Sequence, residues 1–160
     1  AMQKIDRQEP PYDIIHMDAF TGDGIPTHLL TREAVQIYLE RLKDDGVILF
    51  HVSNRYYELR PVIKALASEL GLTGAINVPT PKTALKAHQS ATWCVVLARD
   101  PGRLDGLMKK GWLPLGPGDG LREVTPWTDD YINIMLPLRD GIRERWDGFH
   151  FSSLTKSIWP

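Results

Sequence analysis

Two short apolar runs separated by one amphipathic helix constrain the fold of this chain more than any other feature. The first run, YDIIHMD, covers Tyr12 to Asp18 and ends in a carboxylate. A loop, a helix with the sequence TREAVQIYLERL and a second apolar run from Val47 to Val52 follow. Because the first run does not alternate polar and apolar residues, it is typical of a strand covered on two faces. The pattern predicts a strand–helix–strand unit with parallel strands.

The next part of the chain predicts one more helix and two more strands. Leu59 to Leu70 places its leucines, valine and isoleucine on one helical face, and Gly71 is its expected end. Strands are expected over Thr73–Val78 and Ala91–Ala98. Since the segment between them has no helical pattern, we expect the two strands to be antiparallel neighbours.

Local signals set the expected ends of several elements. Thr31 is a good N-cap for the first helix, and Asp44-Asp45-Gly46 is expected to form the turn between that helix and the second strand. A short helix is expected over Leu104–Lys110, before a segment rich in glycine and proline. The length of 160 residues favours one domain. We assign residues 1–11 to a lead-in and 12–160 to a single α/β domain, with a core over 12–100 and a C-terminal extension over 101–160.

Charge and cysteine content argue against several classes of function. The formal net charge of −1 gives no electrostatic basis for binding nucleic acid. Cys94 is the single cysteine, which excludes an intrachain disulfide, and it lies in an apolar run where a small buried side chain is expected. No histidine pair has the spacing of a metal site, so no metal is expected. The apolar runs are too short for a membrane helix, and we expect a cytoplasmic domain.

Several separated strings resemble one family. DAFTGDGIPTHLLTREAVQIYLERLKDDGVILFHVSN, together with VVLARD and PWTDDY, resembles the spermidine synthase-like proteins, the polyamine aminopropyltransferases. The similarity is strongest to the bacterial branch in which this domain follows a multi-pass membrane segment, which implies a membrane-anchored parent protein. The resemblance implies the C-terminal half of a class I S-adenosylmethionine-dependent methyltransferase-like, or Rossmann-like, sheet. Such a half has parallel strands plus one antiparallel strand, flanked by helices.

The resemblance also implies a reaction and a catalytic residue. In the family an amine attacks the methylene beside a sulfonium, and the aspartate that follows this strand takes the proton from the amine. Asp18 matches that aspartate and is the expected catalytic residue, although a strand-end carboxylate can also simply bind nearby backbone N–H groups. The family has a second aspartate three positions on, where this chain has Thr21; the nearest carboxylate is Asp23. The parent is expected to use decarboxylated S-adenosylmethionine and a small polyamine, and this chain alone is expected to bind no cofactor.

Seven further residues are candidates for substrate binding, each with a structural alternative. Asp23 suits a turn, and His28 suits a surface or capping position. Ser53 and Asn54 follow the second strand, where they can contact substrate or form a turn. Two acids beside aromatic rings can hold a cationic amine, or can open a helix. These last candidates are Asp129, Asp130 and Tyr131.

Three functions are consistent with these features. The first is the C-terminal portion of an aminopropyltransferase domain, inactive alone because the chain has no glycine-rich nucleoside loop before its first strand. The second is a non-enzymatic dimerisation or interaction module. Here a second copy, or a missing N-terminal half, covers the edge strand from Tyr12 to Asp18. The third is a fragment of an S-adenosylmethionine-dependent methyltransferase.

Overall fold

The protein forms a five-stranded mixed sheet with flanking helices. The computed structural model describes residues 10–18, 24, 26–54, 56–77 and 92–138. The strands are β1 (Tyr12–Met17), β2 (Leu42–His51), β3 (Thr73–Asn77), β4 (Cys94–Ala98) and β5 (Leu113–Leu115). The helices whose two ends both lie in the described residues are α1 (Arg32–Arg41), α2 (Arg60–Glu69) and the short α3 (Asp105–Met108). Single 3₁₀ turns cover Thr27–Leu29 and Pro101–Leu104.

The strand order is β1-β2-β4-β3-β5, with β1 at one edge. β1 and β2 pair in parallel, as the strand–helix–strand pattern predicts. β4 pairs antiparallel with both β2 and β3, so these two strands run in the same direction with β4 between them. The predicted antiparallel pairing of the third and fourth strands is therefore confirmed.

β5 was not predicted from the sequence. It pairs antiparallel with β3 at the second edge of the sheet and contains Pro114. Proline cannot donate a hydrogen bond to a sheet and is confined mostly to edge strands. Because the surrounding segment is rich in glycine and proline, its sequence does not predict a strand. This three-residue strand is possible only at the edge of the sheet.

The turn predicted at Asp44-Asp45-Gly46 is wrong, because these residues lie within β2. Tyr12 pairs with Leu42 and Ile14 with Val47, so β1 advances two residues while β2 advances five. The residues between Leu42 and Val47 form an irregularity in the pairing of β1 with β2 rather than a separate turn. Gly46 is needed there, since a Cβ atom would lie 2.7 Å from Cγ of Leu42.

The two main helices begin and end close to where the sequence predicts. Thr31 caps α1 through its Oγ1, which accepts a hydrogen bond of 3.2 Å from the N–H of Ala34. α2 carries Pro61 in its first turn, and Gly71, with φ of +66°, follows its end. The last predicted helix is shorter than expected, because residues 101–104 form a 3₁₀ turn and only 105–108 are α-helical. None of the described helices has both the length and the apolar character required to cross a membrane.

The sheet has a core on each face, and the two differ in size. Alternate residues of β2 and β4, such as Phe50 and Val95, join α1, α2 and Trp127 in the larger core. The other face carries a smaller core in which Val96 and Ala98 pack against Leu104. At the β1 end of the sheet, Ile14 is left 62% exposed. The expectation that β1 is covered on two faces is therefore wrong, because only Ile15 of this edge strand is buried.

Candidate functional site

Asp18 and His51 form a hydrogen-bonded pair at the carboxyl ends of the two parallel strands. Asp18 directly follows β1, and His51 is the last residue of β2. Parallel pairing places both residues at the same edge, where Oδ1 of Asp18 lies 2.7 Å from Nδ1 of His51. The side chain of Asp18 is 51% exposed and that of His51 is 27% exposed. This edge is where open α/β sheets bind their ligands.

The surroundings of Asp18 keep its carboxylate ionised. The hydrogen bond from His51 has the largest influence and lowers the pKa of Asp18. Partial desolvation opposes this effect, while the charges of His51 and His16 lower the pKa further. A carboxylate that is ionised and open to solvent can accept a proton from a cationic donor.

Two further polar side chains continue this site across the sheet. Cys94 of β4 pairs directly with His51 on one side and with Asn77 of β3 on the other. Residues at paired positions project from the same face of a sheet, so the three side chains lie in one row. Burial raises the pKa of the Cys94 thiol, and the charge of Asp18 adds to this. The thiol therefore stays protonated and is a poor nucleophile.

Ser53 and Asn54 support the turn that follows β2. Oγ of Ser53 accepts a hydrogen bond of 2.6 Å from the N–H of Trp93. Oδ1 of Asn54 accepts from the N–H groups of Tyr56 and Tyr57, at 2.9 and 3.1 Å. The bonds of Asn54 match the turn alternative, whereas Ser53 binds the residue that precedes β4. Contact with a substrate remains a prediction for both.

The WTDDY segment packs against the start of α1. Oδ1 of Asp129 accepts a hydrogen bond of 2.8 Å from Oγ1 of Thr31, and its N–H donates to Glu33 at 3.0 Å. Thr128 and Tyr131 exchange backbone hydrogen bonds of 2.9 and 3.1 Å. The segment is therefore a tight turn, and the alternative that it opens a helix is wrong. Asp130 is exposed at the tip of this turn, and Tyr131 is 46% exposed.

A cavity of about 580 Å³ separates this turn from β1. Its polar lining includes two of the predicted residues, His28 and Asp129, together with His16. Ile15, Tyr38 and Ile132 contribute to its apolar walls. Two of the predicted residues thus line this cavity, three lie at or just after the ends of β1 and β2, and Asp130 and Tyr131 are exposed on the turn.

Two residues remain to be placed, the predicted Asp23 and the unpredicted His51. Asp23 lies outside the described residues, as does Thr21. His51 was not among the predicted site residues, although its place at the end of the strand parallel to β1 is a signal that could have found it. Within the described ranges, no three histidine, cysteine or acidic side chains form a group that could hold a metal ion. The chain matches no protein-family model and no curated protein.

Proposed function

We propose that this chain is the C-terminal half of a spermidine synthase-like aminopropyltransferase domain and is inactive by itself. The observation that carries the proposal is the position of β4, antiparallel between two strands that share one direction. A class I methyltransferase-like sheet ends with an antiparallel strand inserted in this way. The S-adenosylmethionine-dependent methyltransferases share that sheet, so the choice of amine chemistry rests on Asp18 and on the family resemblance.

The edge position of β1 supports the proposal that a half is missing. Within the described residues β1 pairs with β2 alone, and its outer side ends the sheet. The cavity lined by Ile15 and Met17 also adjoins β1. We propose that residues upstream of this chain in the natural protein supply the nucleoside-binding strands and cover β1. The protein with those residues is called the extended protein below.

Asp18 suits the proton transfer that aminopropyl transfer requires. The substrate amine is a cation at neutral pH and must lose a proton before it can attack. In the proposed step Asp18 takes that proton, and the nitrogen lone pair forms a bond to the methylene carbon. The carbon–sulfur bond breaks, and its electron pair returns to the sulfonium, which leaves as neutral methylthioadenosine. Thr21 replaces the second family aspartate, so the amine is held differently from that of the spermidine synthases.

The test compares two aspartates of β1 in the extended protein. Asp18→Asn removes the proposed base, whereas Asp13→Asn removes a more exposed carboxylate at the other end of the strand, paired with Lys43 at 2.7 Å. With decarboxylated S-adenosylmethionine and putrescine, we expect methylthioadenosine release to be lost only in the Asp18 variant. Equal activity of both variants would contradict the role of Asp18. Turnover by the 160-residue chain alone would contradict the proposal that the chain is an inactive half of a domain.

A second candidate function is self-association through β1. Ile14 is 62% exposed on this edge strand, and soluble proteins normally protect such edges. We propose that a second copy of the chain pairs along β1 when no upstream half covers it. Light scattering at tens of micromolar should then give the mass of a dimer, and Ile14→Lys should give a monomer. A monomer for the unchanged chain would exclude this function.

A further inference from the structure

We infer that His51 is a positioning residue for Asp18, an inference that rests on the proposed role of Asp18 as proton acceptor. Nδ1 of His51 lies 2.7 Å from Oδ1 of Asp18. A hydrogen bond of this length between a ring N–H and a carboxylate is charge-assisted and directional. It occupies one carboxylate oxygen and leaves Oδ2 for the amine.

The imidazole is better anchored than the carboxylate it contacts. Asp18 lies just beyond the end of β1, whereas His51 is inside the sheet, paired with Cys94 of β4. Its ring is also about half as exposed, at 27% against 51%. A strand-end side chain open to water samples several rotamers, and a fixed donor reduces that freedom. The hydrogen bond therefore restrains Asp18, and the sheet restrains His51.

The hydrogen bond also fixes the tautomer of the ring. Donation from Nδ1 requires the proton on that nitrogen in the neutral ring, while a protonated ring donates from both nitrogens. His16 on β1 and Cys94 on β4 are the titratable neighbours that share this face with the pair. A change at His51 should therefore alter both the orientation and the basicity of Asp18.

A readout that needs no activity is the titration of the Asp18 carboxyl carbon by NMR in the 160-residue chain. His51→Phe removes the donor, and we expect the pKa of Asp18 to rise towards its ordinary value. His51→Asn places an amide N–H near the former Nδ1 and should keep the pKa lowered. Asp13, whose pKa is lowered by its hydrogen bond from Lys43, is the internal control and should not move. An unchanged Asp18 titration in the phenylalanine variant would overturn the inference.

Activity of the extended protein provides the second readout. With His51→Phe we expect kcat to fall by about 10- to 100-fold, the loss typical when the partner that orients a functional group is removed. The KM for the amine should change little, the acid limb of the kcat profile should move to higher pH, and His51→Asn should restore part of kcat. Unchanged kcat and pH profile in an active extended protein would overturn the positioning role. An inactive extended protein with the expected NMR shifts would instead refute the proposed function and leave the Asp18–His51 contact established.

Discussion

Two aspartates with hydrogen bonds of similar length to basic side chains have opposite surroundings in this molecule. Asp18 and His51 lie 2.7 Å apart at an open edge of the sheet, where the aspartate is 51% exposed. Asp119 and Lys64 lie 2.8 Å apart, with side chains only 5% and 9% exposed. Asp119 also accepts hydrogen bonds from the N–H groups of Gly116 and Leu121. The buried carboxylate of Asp119 links the segment after β5 to α2, while the exposed carboxylate of Asp18 is accessible to a ligand.

The difference indicates that the two pairs serve different purposes. A buried ion pair is costly to break, because the partner left behind is a desolvated charge. An exposed pair contributes little to stability, since water and salt screen it. We therefore expect changes at Asp119 to alter folding and changes at Asp18 to alter chemistry.

The largest expected effect is on activity. Asp18→Asn in the extended protein should lower kcat by about 10²- to 10⁴-fold, the usual contribution of a general base. The urea midpoint of the same variant should remain close to that of the unchanged protein. If the variant lost much stability as well as activity, the claim that the two pairs serve different purposes would be contradicted.

The next effect in size is on stability. Asp119→Ala leaves Lys64 buried beside a single remaining carboxylate, that of Glu123 at 2.9 Å. We expect the free energy of unfolding to fall by about 3 kcal/mol, as measured by urea denaturation of the 160-residue chain. Glu123→Ala is the matched control, because Glu123 binds the same Nζ but is 81% exposed. That control should cost less than about 1 kcal/mol, and equal losses in the two variants would contradict the role of burial.

The Asp119–Lys64 pair should make the free energy of unfolding depend on pH. Burial alone would raise the pKa of Asp119, but the hydrogen bonds from Lys64, Leu121 and Gly116 outweigh it and lower the pKa below its usual 3.8. The unfolded chain then binds a proton more readily than the folded one. The stabilisation is present above pH 3.8 and is lost as the pH falls through the lower folded value. Urea midpoints should fall less steeply with acid in Asp119→Asn; an equal slope would show that other carboxylates account for the acid sensitivity.

A smaller effect is expected at the start of α1. Thr31 is fully buried, caps the helix through Ala34 and donates to Asp129. Thr31→Ala should lower the free energy of unfolding by about 1 kcal/mol, the usual cost of removing a helix cap. Thr31→Ser keeps the hydroxyl and should recover most of that loss. If serine and alanine were equally destabilising, the methyl group rather than the cap would be the important feature.

The sequence predicts the elements that have a strong apolar pattern and misses those that depend on distant pairing. α1 and α2 follow from periodicity and caps, because each buries a continuous stripe, and β1 follows from its apolar run although only Ile15 of that run is buried. The sequence predicts a turn at the irregular start of β2, since Asp-Asp-Gly favours a turn locally, and only the pairing of the flanking Leu42 and Val47 with β1 shows that the strand continues there. β5 forms through its pairing with β3, and its own sequence does not predict a strand.

The candidate site follows the same division. The sequence predicts Asp18 because a carboxylate that ends an apolar run is visible in it, and the role of Asp18 stays a prediction. His51 was missed because its importance depends on a contact with a residue 33 positions away. Ser53 and Asn54 follow β2, as predicted, but the bond of Ser53 to the distant Trp93 and that of Asn54 to the following turn are visible only in three dimensions.

Calorimetric titration of methylthioadenosine into the 160-residue chain and into the extended protein tests the half-domain proposal most directly. If the nucleoside pocket is built by upstream strands that cover β1, the extended protein should bind one equivalent and the shorter chain should give no heat of binding. Stoichiometric binding by the 160-residue chain as a monomer would contradict the proposal, because a complete pocket would then lie within it. Absence of binding in both proteins would contradict the nucleoside-dependent chemistry itself.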